Sequence, residues 1–164
     1  HLARVEKVRI LVENRDAESK VRAILAKCHV DLTGVEFFLH PTDRSWTRDF
    51  CPTFVSSVST VSSVSGGGRL GIPHWKFNGW AKYPNHHNDS KVPASIAKKF
   101  GIETWDPGFV LEGGSIDVNG AGKLLTTEEC LLSEVQARNP GRTRKEIEQA
   151  FRQHLRQQHG RHGV

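Results

Sequence analysis

Val110-Leu111-Glu112-Gly113-Gly114-Ser115-Ile116-Asp117-Val118, continued by Leu124-Leu125-Thr126-Thr127-Glu128-Glu129-Cys130, decides how this chain is read. Both runs are apolar and strand-like. The spacer between them, Asn119-Gly120-Ala121-Gly122, carries an Asn-Gly pair, the strongest short-range hairpin signal. Glu112 stands just inside the first expected strand, directly before two glycines. Glycine has no Cβ, so backbone or a ligand can approach closely there. A carboxylate leading into Gly-Gly on a strand is what a cation-binding pocket requires. Spacing alone leaves a second reading open, in which the glycines only form a bulge and Glu112 faces water.

Upstream, Val5 to Val12 alternates apolar and charged residues and reads as a strand. Asp16 is a plausible N-cap for a helix over 17–28, with Val21, Ile24, Leu25 and Cys28 as its apolar stripe. Val35 to Leu39 is a second strand, so the segment is a β-α-β unit whose strands are expected to be parallel with a right-handed crossover. Trp46-Thr47-Arg48-Asp49 follows at the carboxyl end of that second strand, where ligands of α/β sheets commonly sit. Trp46, Arg48 and Asp49 could form a site wall there. Equally open is a surface Arg48–Asp49 pair beside a Trp46 that merely packs.

Thr53 to Val64 begins as a strand and dissolves into Ser and Val before Gly66-Gly67-Gly68. A long, mobile hairpin loop is expected between strands near 52–57 and 69–75. Phe77 to Asp89 reads as a solvent-exposed loop. His86, His87 and Asp89 lack a third His or Cys at ligand spacing, so no metal is expected. A helix over 91–100 carries Val92, Ile96, Ala97 and Phe100 and stops at Gly101. A polar loop runs to Pro140, and Thr143-Arg144-Lys145-Glu146 is a capping box opening a helix with Ile147, Ala150, Phe151 and Leu155. After Leu155 a β-α-β rhythm calls for an apolar strand, but 156–164 has one apolar residue. We expect a disordered or non-native tail there, with a reading-frame error or truncation as one origin.

The 164 residues are 37% hydrophobic, enough for one ordinary globular core. No apolar run approaches the roughly 20 residues that span a bilayer. The chain starts at His1 and contains no Met, so a cut or processed N-terminus is expected. Cys28, Cys51 and Cys130 are odd in number and form no Cys-x-x-Cys pair, which leaves zinc and redox motifs unsupported. Reduced cysteines in a cytoplasmic protein is the simplest reading. The formal charge of +5 and pI near 9.3 raise nucleic acid as a partner. The basic residues crowd the end (Arg142, Arg144, Lys145, Arg152, Arg156 and Arg161), where Glu146 and Glu148 make the helix look like a solvated face. No aromatic-interleaved basic groove is present, so neither nucleic acid nor membrane is expected as a partner.

Five motifs in order carry a resemblance. They are Trp46-Thr-Arg-Asp49, Phe77-Asn-Gly-Trp80, Glu112-Gly-Gly-Ser-Ile116, Thr126-Thr-Glu-Glu-Cys-Leu-Leu132 and Arg138-Asn-Pro140. From about Val5 to about Leu155 the chain resembles the agmatine deiminase and peptidyl-arginine deiminase family of guanidine-modifying enzymes, over its N-terminal half only. The resemblance implies the pentein fold, a five-fold pseudo-symmetric α/β propeller of β-β-α-β modules. Residues 1–155 would supply about two of the five modules. It also implies hydrolysis of a guanidinium to a ureido group with release of ammonia, giving N-carbamoylputrescine from agmatine on the way to putrescine.

The substrate sets the physical demand. A guanidinium is protonated at neutral pH and presents donors in a planar fork. Carboxylates facing that fork make bidentate, charge-assisted bonds that fix the carbon. A Cys thiolate adds to the carbon, forming a thiouronium intermediate that water cleaves, while a His acts as general acid and base. No metal or organic cofactor is needed. By resemblance Asp49 matches the guanidinium-binding aspartate, Glu112 the glutamate beside the general base, and Trp46 and Trp80 aromatic residues lining the pocket. The family's Gly-His-x-Asp motif and its Cys nucleophile lie in the second half and have no match here. Cys130, among apolar neighbours, and Cys51, beside Pro52, are poor substitutes.

The expected chain is therefore the N-terminal portion of a deiminase, inactive alone. Its partners would be a guanidino substrate (agmatine or an arginine side chain) and the missing C-terminal half, with a homo-oligomer as a candidate state of the full enzyme. Two other classes stay in view. One is a non-catalytic guanidinium-binding or regulatory half-domain, and the other is a basic nucleic-acid-binding domain. An unmatched sheet edge predicts that the isolated chain aggregates or is only marginally folded.

Overall fold

The computed structural model of the chain describes residues 1–57 and 69–155. The expected mobile loop, the end of the Thr53–Val64 run and the tail from Arg156 fall outside the described residues.

The amino-terminal unit is β1 (Val8–Val12), α1 (Arg15–Lys27) and β2 (Val35–Leu39). β1 and β2 pair in parallel, from Val8 opposite Val35 to Val12 opposite Leu39. The strand starts later than Val5 because Leu2–Arg4 forms a 3-10 turn. Asn14, not Asp16, caps α1. Asn14 is extended at φ −155° and its side chain accepts the Ala17 N–H, while Asp16 sits in the first turn where its charge favours the helix dipole. The α1 stripe is only partly covered, since Val21 and Leu25 are half-buried while Ile24 and Cys28 are exposed.

After the one-turn helix α2 (Thr47–Phe50) comes a compact β-β-α-β unit. β3 (Val55–Ser57) pairs antiparallel with β4 (Arg69–Pro73), α3 (Val92–Phe100) crosses over, and β5 (Glu103–Trp105) pairs parallel with β4. β5 was not among the strands expected from the sequence; it is three residues long and mostly exposed. α3 ends as expected on Gly101, whose φ of 63° is the left-handed conformation glycine adopts without strain.

The glycine-rich hairpin is shorter than its apolar runs suggest. β6 (Ile116–Val118) and β7 (Leu124–Thr126) pair antiparallel across a five-residue connection in which the Asn119 carboxamide accepts the N–H of Ala121 and of Lys123. Val110 to Glu112 lies outside this hairpin, because a 3-10 turn over Gly113–Ser115 separates them. α4 (Glu128–Leu132), capped by Thr127, replaces the end of the second strand-like run, which was expected to continue to Cys130, and reaches into the polar loop. α5 (Arg144–His154) opens with the full Thr143/Glu146 capping box. Arg142, just before it, pairs with Glu146 at 3.1 Å, and within it Arg144 and Arg152 pair with Glu148 at 2.9 and 3.5 Å. That is the solvated face read from the sequence.

Two apolar clusters hold these elements. Phe50, Phe77 and Val92 form one, with Leu11, Trp80 and Ile96 against it. Trp75, Leu111 and Ile116 form the other, under Leu131 and Phe151. Each fully buried side chain of this size contributes about 1.5–3 kcal/mol. Phe50 directly follows Asp49, and Leu111 directly precedes Glu112. Each carboxylate is thus fixed by a core residue next to it in sequence, one in each cluster.

Candidate functional site

The site is built where α2 meets the Gly113–Ser115 turn. Asp49 lies in the single turn of α2, its N–H donating to the Trp46 carbonyl at 3.0 Å. The loop feeding this turn is held by Asp89, which the sequence placed in an exposed loop. Asp89 is fully buried, and its Oδ1 accepts the Asp43 N–H at 2.7 Å and the Arg44 N–H at 3.3 Å. Asp43 reciprocates, accepting the Asn88 N–H at 2.7 Å and its Nδ2 at 3.0 Å. A polar loop stays ordered here because its buried acid caps backbone N–H groups that would otherwise be unsatisfied.

Glu112 is positioned from the other side. Leu111 donates its N–H to the Lys76 carbonyl at 3.1 Å, and Lys76 donates to the Phe109 carbonyl at 2.9 Å. Asn139 completes the pairing with its side chain, accepting the Val110 N–H and donating to the Val110 carbonyl, both at 2.8 Å. Ser115 then locks the turn, its N–H and Oγ both donating to the Glu112 carbonyl at 3.0 and 2.7 Å.

The two glycines are the meeting point. A Cβ at Gly113 would overlap the Arg48 carbonyl oxygen, and one at Gly114 would overlap Oδ1 of Asp49. With no Cβ there, the Asp49 carboxylate lies against the Gly114 backbone, whose N–H favours its charged form. This settles the choice left open by spacing, since Glu112 is 2% exposed and does not face water. The Arg48–Asp49 surface pair is likewise absent. Arg48 reaches to the Ile116 carbonyl, donating from Nη2 at 3.3 Å.

Arg138, to which the sequence assigned no role, supplies the counter-charge. Its Nε donates to Oε1 of Glu112 at 3.1 Å, with the two side chains only 16% and 3% exposed. Burial pushes the Glu112 carboxyl above the usual carboxylate range. Arg138 pulls it back and the nearby Asp49 pushes it further. Burial also raises Asp49, against the pull of the Gly114 N–H and of Arg48 and Arg138. With both acids ionised, the two carboxylates lie near each other, with the Arg138 guanidinium on Glu112 and that of Arg48 near Asp49. A planar cation entering between the carboxylates would be held by charge-assisted hydrogen bonds to both.

The tryptophans are placed less directly. Trp46 precedes α2 with 62% of its surface exposed. Trp80 takes a left-handed φ of 62° and packs edge-on against Phe77 at 5.1 Å, so it touches the cluster that anchors Phe50. Cys51 is close in sequence but chemically unsuited to attack. Burial and the negative Asp89 push its thiol to about 11, which keeps it protonated at neutral pH. Cys130 lies on α4, its backbone N–H bound to Thr127. No histidine among the described residues hydrogen-bonds Asp49 or Glu112. No group of three His, Cys, Asp or Glu side chains among them could hold a metal ion. Nor is any helix among them long and apolar enough to cross a membrane.

Fold and site together define an α/β protein with a paired-carboxylate site flanked by two arginines. The chain belongs to the family described as Porphyromonas-type peptidyl-arginine deiminase, whose profile matches residues 1–160. It is 34% identical over 160 residues to the agmatine deiminase of Pseudomonas fluorescens, covering 94% of this chain and 39% of that protein. Against the agmatine deiminase of Ectopseudomonas mendocina it is 38% identical over 136 residues, or 79% of this chain and 34% of that one. Among solved structures, the agmatine deiminase of Enterococcus faecalis superimposes with a TM-score of 0.74 at 26% identity, over 92% of this chain and 38% of that chain. The substrate-bound agmatine deiminase of C. jejuni gives 0.72 at 28% identity, over 93% and 40%. The chain thus spans about two fifths of the length of these relatives.

Proposed function

We propose that these residues form the carboxylate-bearing N-terminal portion of an agmatine deiminase, which hydrolyses the agmatine guanidinium to N-carbamoylputrescine and ammonia. The single observation that carries this is the Asp49–Glu112 pair, a half-buried and a buried carboxylate brought together by the double-glycine turn, with Arg138 on Glu112. Asp49 and Glu112 would grip the planar cation through charge-assisted hydrogen bonds and fix its carbon for attack. Trp46 and Trp80 would line the approach. The thiolate that forms the thiouronium intermediate, and the His that protonates the departing ammonia and activates water, would come from residues outside this stretch. Cys51 is protonated and Cys130 lies on another element, so neither replaces them. Agmatine is favoured over an arginine side chain because the relatives described above are agmatine deiminases.

The β-β-α-β unit formed by β3, β4, α3 and β5, followed by β6, β7 and α5, supports the propeller reading, with residues 1–155 supplying about two of five modules. Ammonia release tests the proposal, using the 164-residue chain alone and then mixed with the segment that completes the relatives' length. Activity is expected only in the mixture, and Asp49→Asn or Glu112→Gln should abolish it. Release by the chain alone would show that a local cysteine is the nucleophile. Silence from the mixture, with agmatine still raising the melting temperature, would point to a non-catalytic guanidinium-binding domain.

A further inference from the structure

We propose that Arg138 is a positioning residue, which holds the buried Glu112 carboxylate as a fixed anion while leaving one of its oxygens for the substrate. The inference rests on the deiminase reading and adds to it the group on which substrate capture depends. Its first support is the geometry of the pair. Arg138 grips one oxygen, Oε1, through Nε alone, and Oε2 takes no hydrogen bond from another side chain among the described residues. A bidentate arginine would have occupied both oxygens and competed with the incoming fork.

Its second support is how firmly Arg138 is itself held. Nη1 donates to the Gln136 carbonyl at 3.0 Å, closing a short turn in which Gln136 sits at a φ of 55°. That left-handed backbone is costly for a residue with a Cβ, and it persists where surrounding contacts over-determine it. The neighbouring Asn139 clamps Val110 by both amide atoms. Residues 136–139 therefore form a brace, with Asn139 fixing the backbone two residues before Glu112 and Arg138 fixing its carboxylate.

The groups facing Glu112 are Arg138 from this brace and, from α2, Asp49, with Arg48 beyond it on Asp49. Asp49 repels a charge on Glu112, and burial penalises it. Against both stand Arg138, as the one nearby cation on Glu112 among the described residues, and more weakly the Glu112 backbone N–H. Removing Arg138 should make capture of a cation wait on loss of a proton from Glu112.

The test uses the protein that carries this chain, with Arg138→Met and Arg138→Lys. Ammonia release from agmatine is followed against pH, with melting temperatures alongside. In the Met variant the KM for agmatine at neutral pH should rise about tenfold or more, and the acid limb of kcat/KM should move up by about one pH unit or more. Activity should recover at higher pH, and Lys should return the limb most of the way. An unmoved acid limb in the Met variant, or in the Lys variant if Met does not fold, together with a lower melting temperature, would make Arg138 merely structural and overturn the proposal. If the unaltered protein releases no ammonia, the deiminase reading fails by itself. Carboxyl-carbon NMR titration of Glu112 then decides about Arg138. An upward shift on substitution supports the brace, and no shift removes it.

Discussion

At Gly114 a Cβ would overlap the Asp49 carboxylate, and at Gly113 it would overlap the Arg48 carbonyl. Gly114→Ala should therefore force α2 and the carboxylate turn apart. The expected cost is about 1–3 kcal/mol of stability, with a raised KM for agmatine, read from urea midpoints and initial rates. Asp89 makes a contrasting case. Its Oδ2 has no hydrogen-bond partner among the described residues, and burial pushes its carboxyl above the usual range. The folded state then holds a proton that the unfolded state has released. Its stabilising effect is full at acid pH and fades as pH rises through the raised value. Asp89→Asn keeps the acceptor that caps Asp43 and Arg44 but carries no charge, so it should leave stability unchanged or raised at neutral pH and flatten this pH dependence in thermal melts. Asp89→Ala should cost about 1–3 kcal/mol. The sequence disclosed Asp49, Glu112 and the glycine pair because each stands in a local motif. It placed Arg138 in a motif but could not disclose its partner, 26 positions away, nor the role of Asp89, whose polar neighbours look like any surface loop.

Among the elements, those with local signals were legible. The Thr143 and Glu146 side chains cap each other's backbone as the sequence implied. Thr143→Ala should cost about 0.5–2 kcal/mol, seen as an earlier denaturation midpoint and reduced helicity. The parallel β1–β2 pair and the stop of α3 at Gly101 followed from alternation and glycine chemistry. β5 was invisible because three residues cannot display a period, and its pairing with β4 is decided by α3 packing behind. The true cap of α1 was misread because Asn14 and Asp16 are both good caps, and only the extended backbone at Asn14 selects between them. The hairpin was overdrawn for a physical reason. Apolar residues at Val110 and Leu111 serve a separate edge held by Lys76 and Asn139, not the β6–β7 ladder.

For the molecule as a whole, the apolar surface left in the open is considerable. Ile24, Val118, Leu125 and Val135 are 59%, 53%, 73% and 73% exposed, on α1, on the β6–β7 hairpin and after α4. β6 and β7 pair only with each other, and β1 only with β2, so both sheets end in unpaired edges among the described residues. Such edges and patches associate. The 164-residue chain made by itself should therefore self-associate with rising concentration or melt without a sharp transition. A monodisperse monomer in sedimentation velocity with a cooperative melt would count against this. Adding the segment that completes the relatives' length should suppress the association if it covers these surfaces.

Where α5 closes over the sheet, Trp105 donates its indole N–H to Nδ1 of His154 at 2.9 Å, and Trp75 meets the same ring edge-on at 5.8 Å. The bond requires Nδ1 to be unprotonated, and burial holds His154 below the usual histidine range, so it is neutral in the folded chain near pH 7. Acid below that depressed value would place an imidazolium, an efficient quencher, against two of the four tryptophans. The protein therefore carries its own optical gauge, whose emission falls with pH as the helix loses its hold on β5.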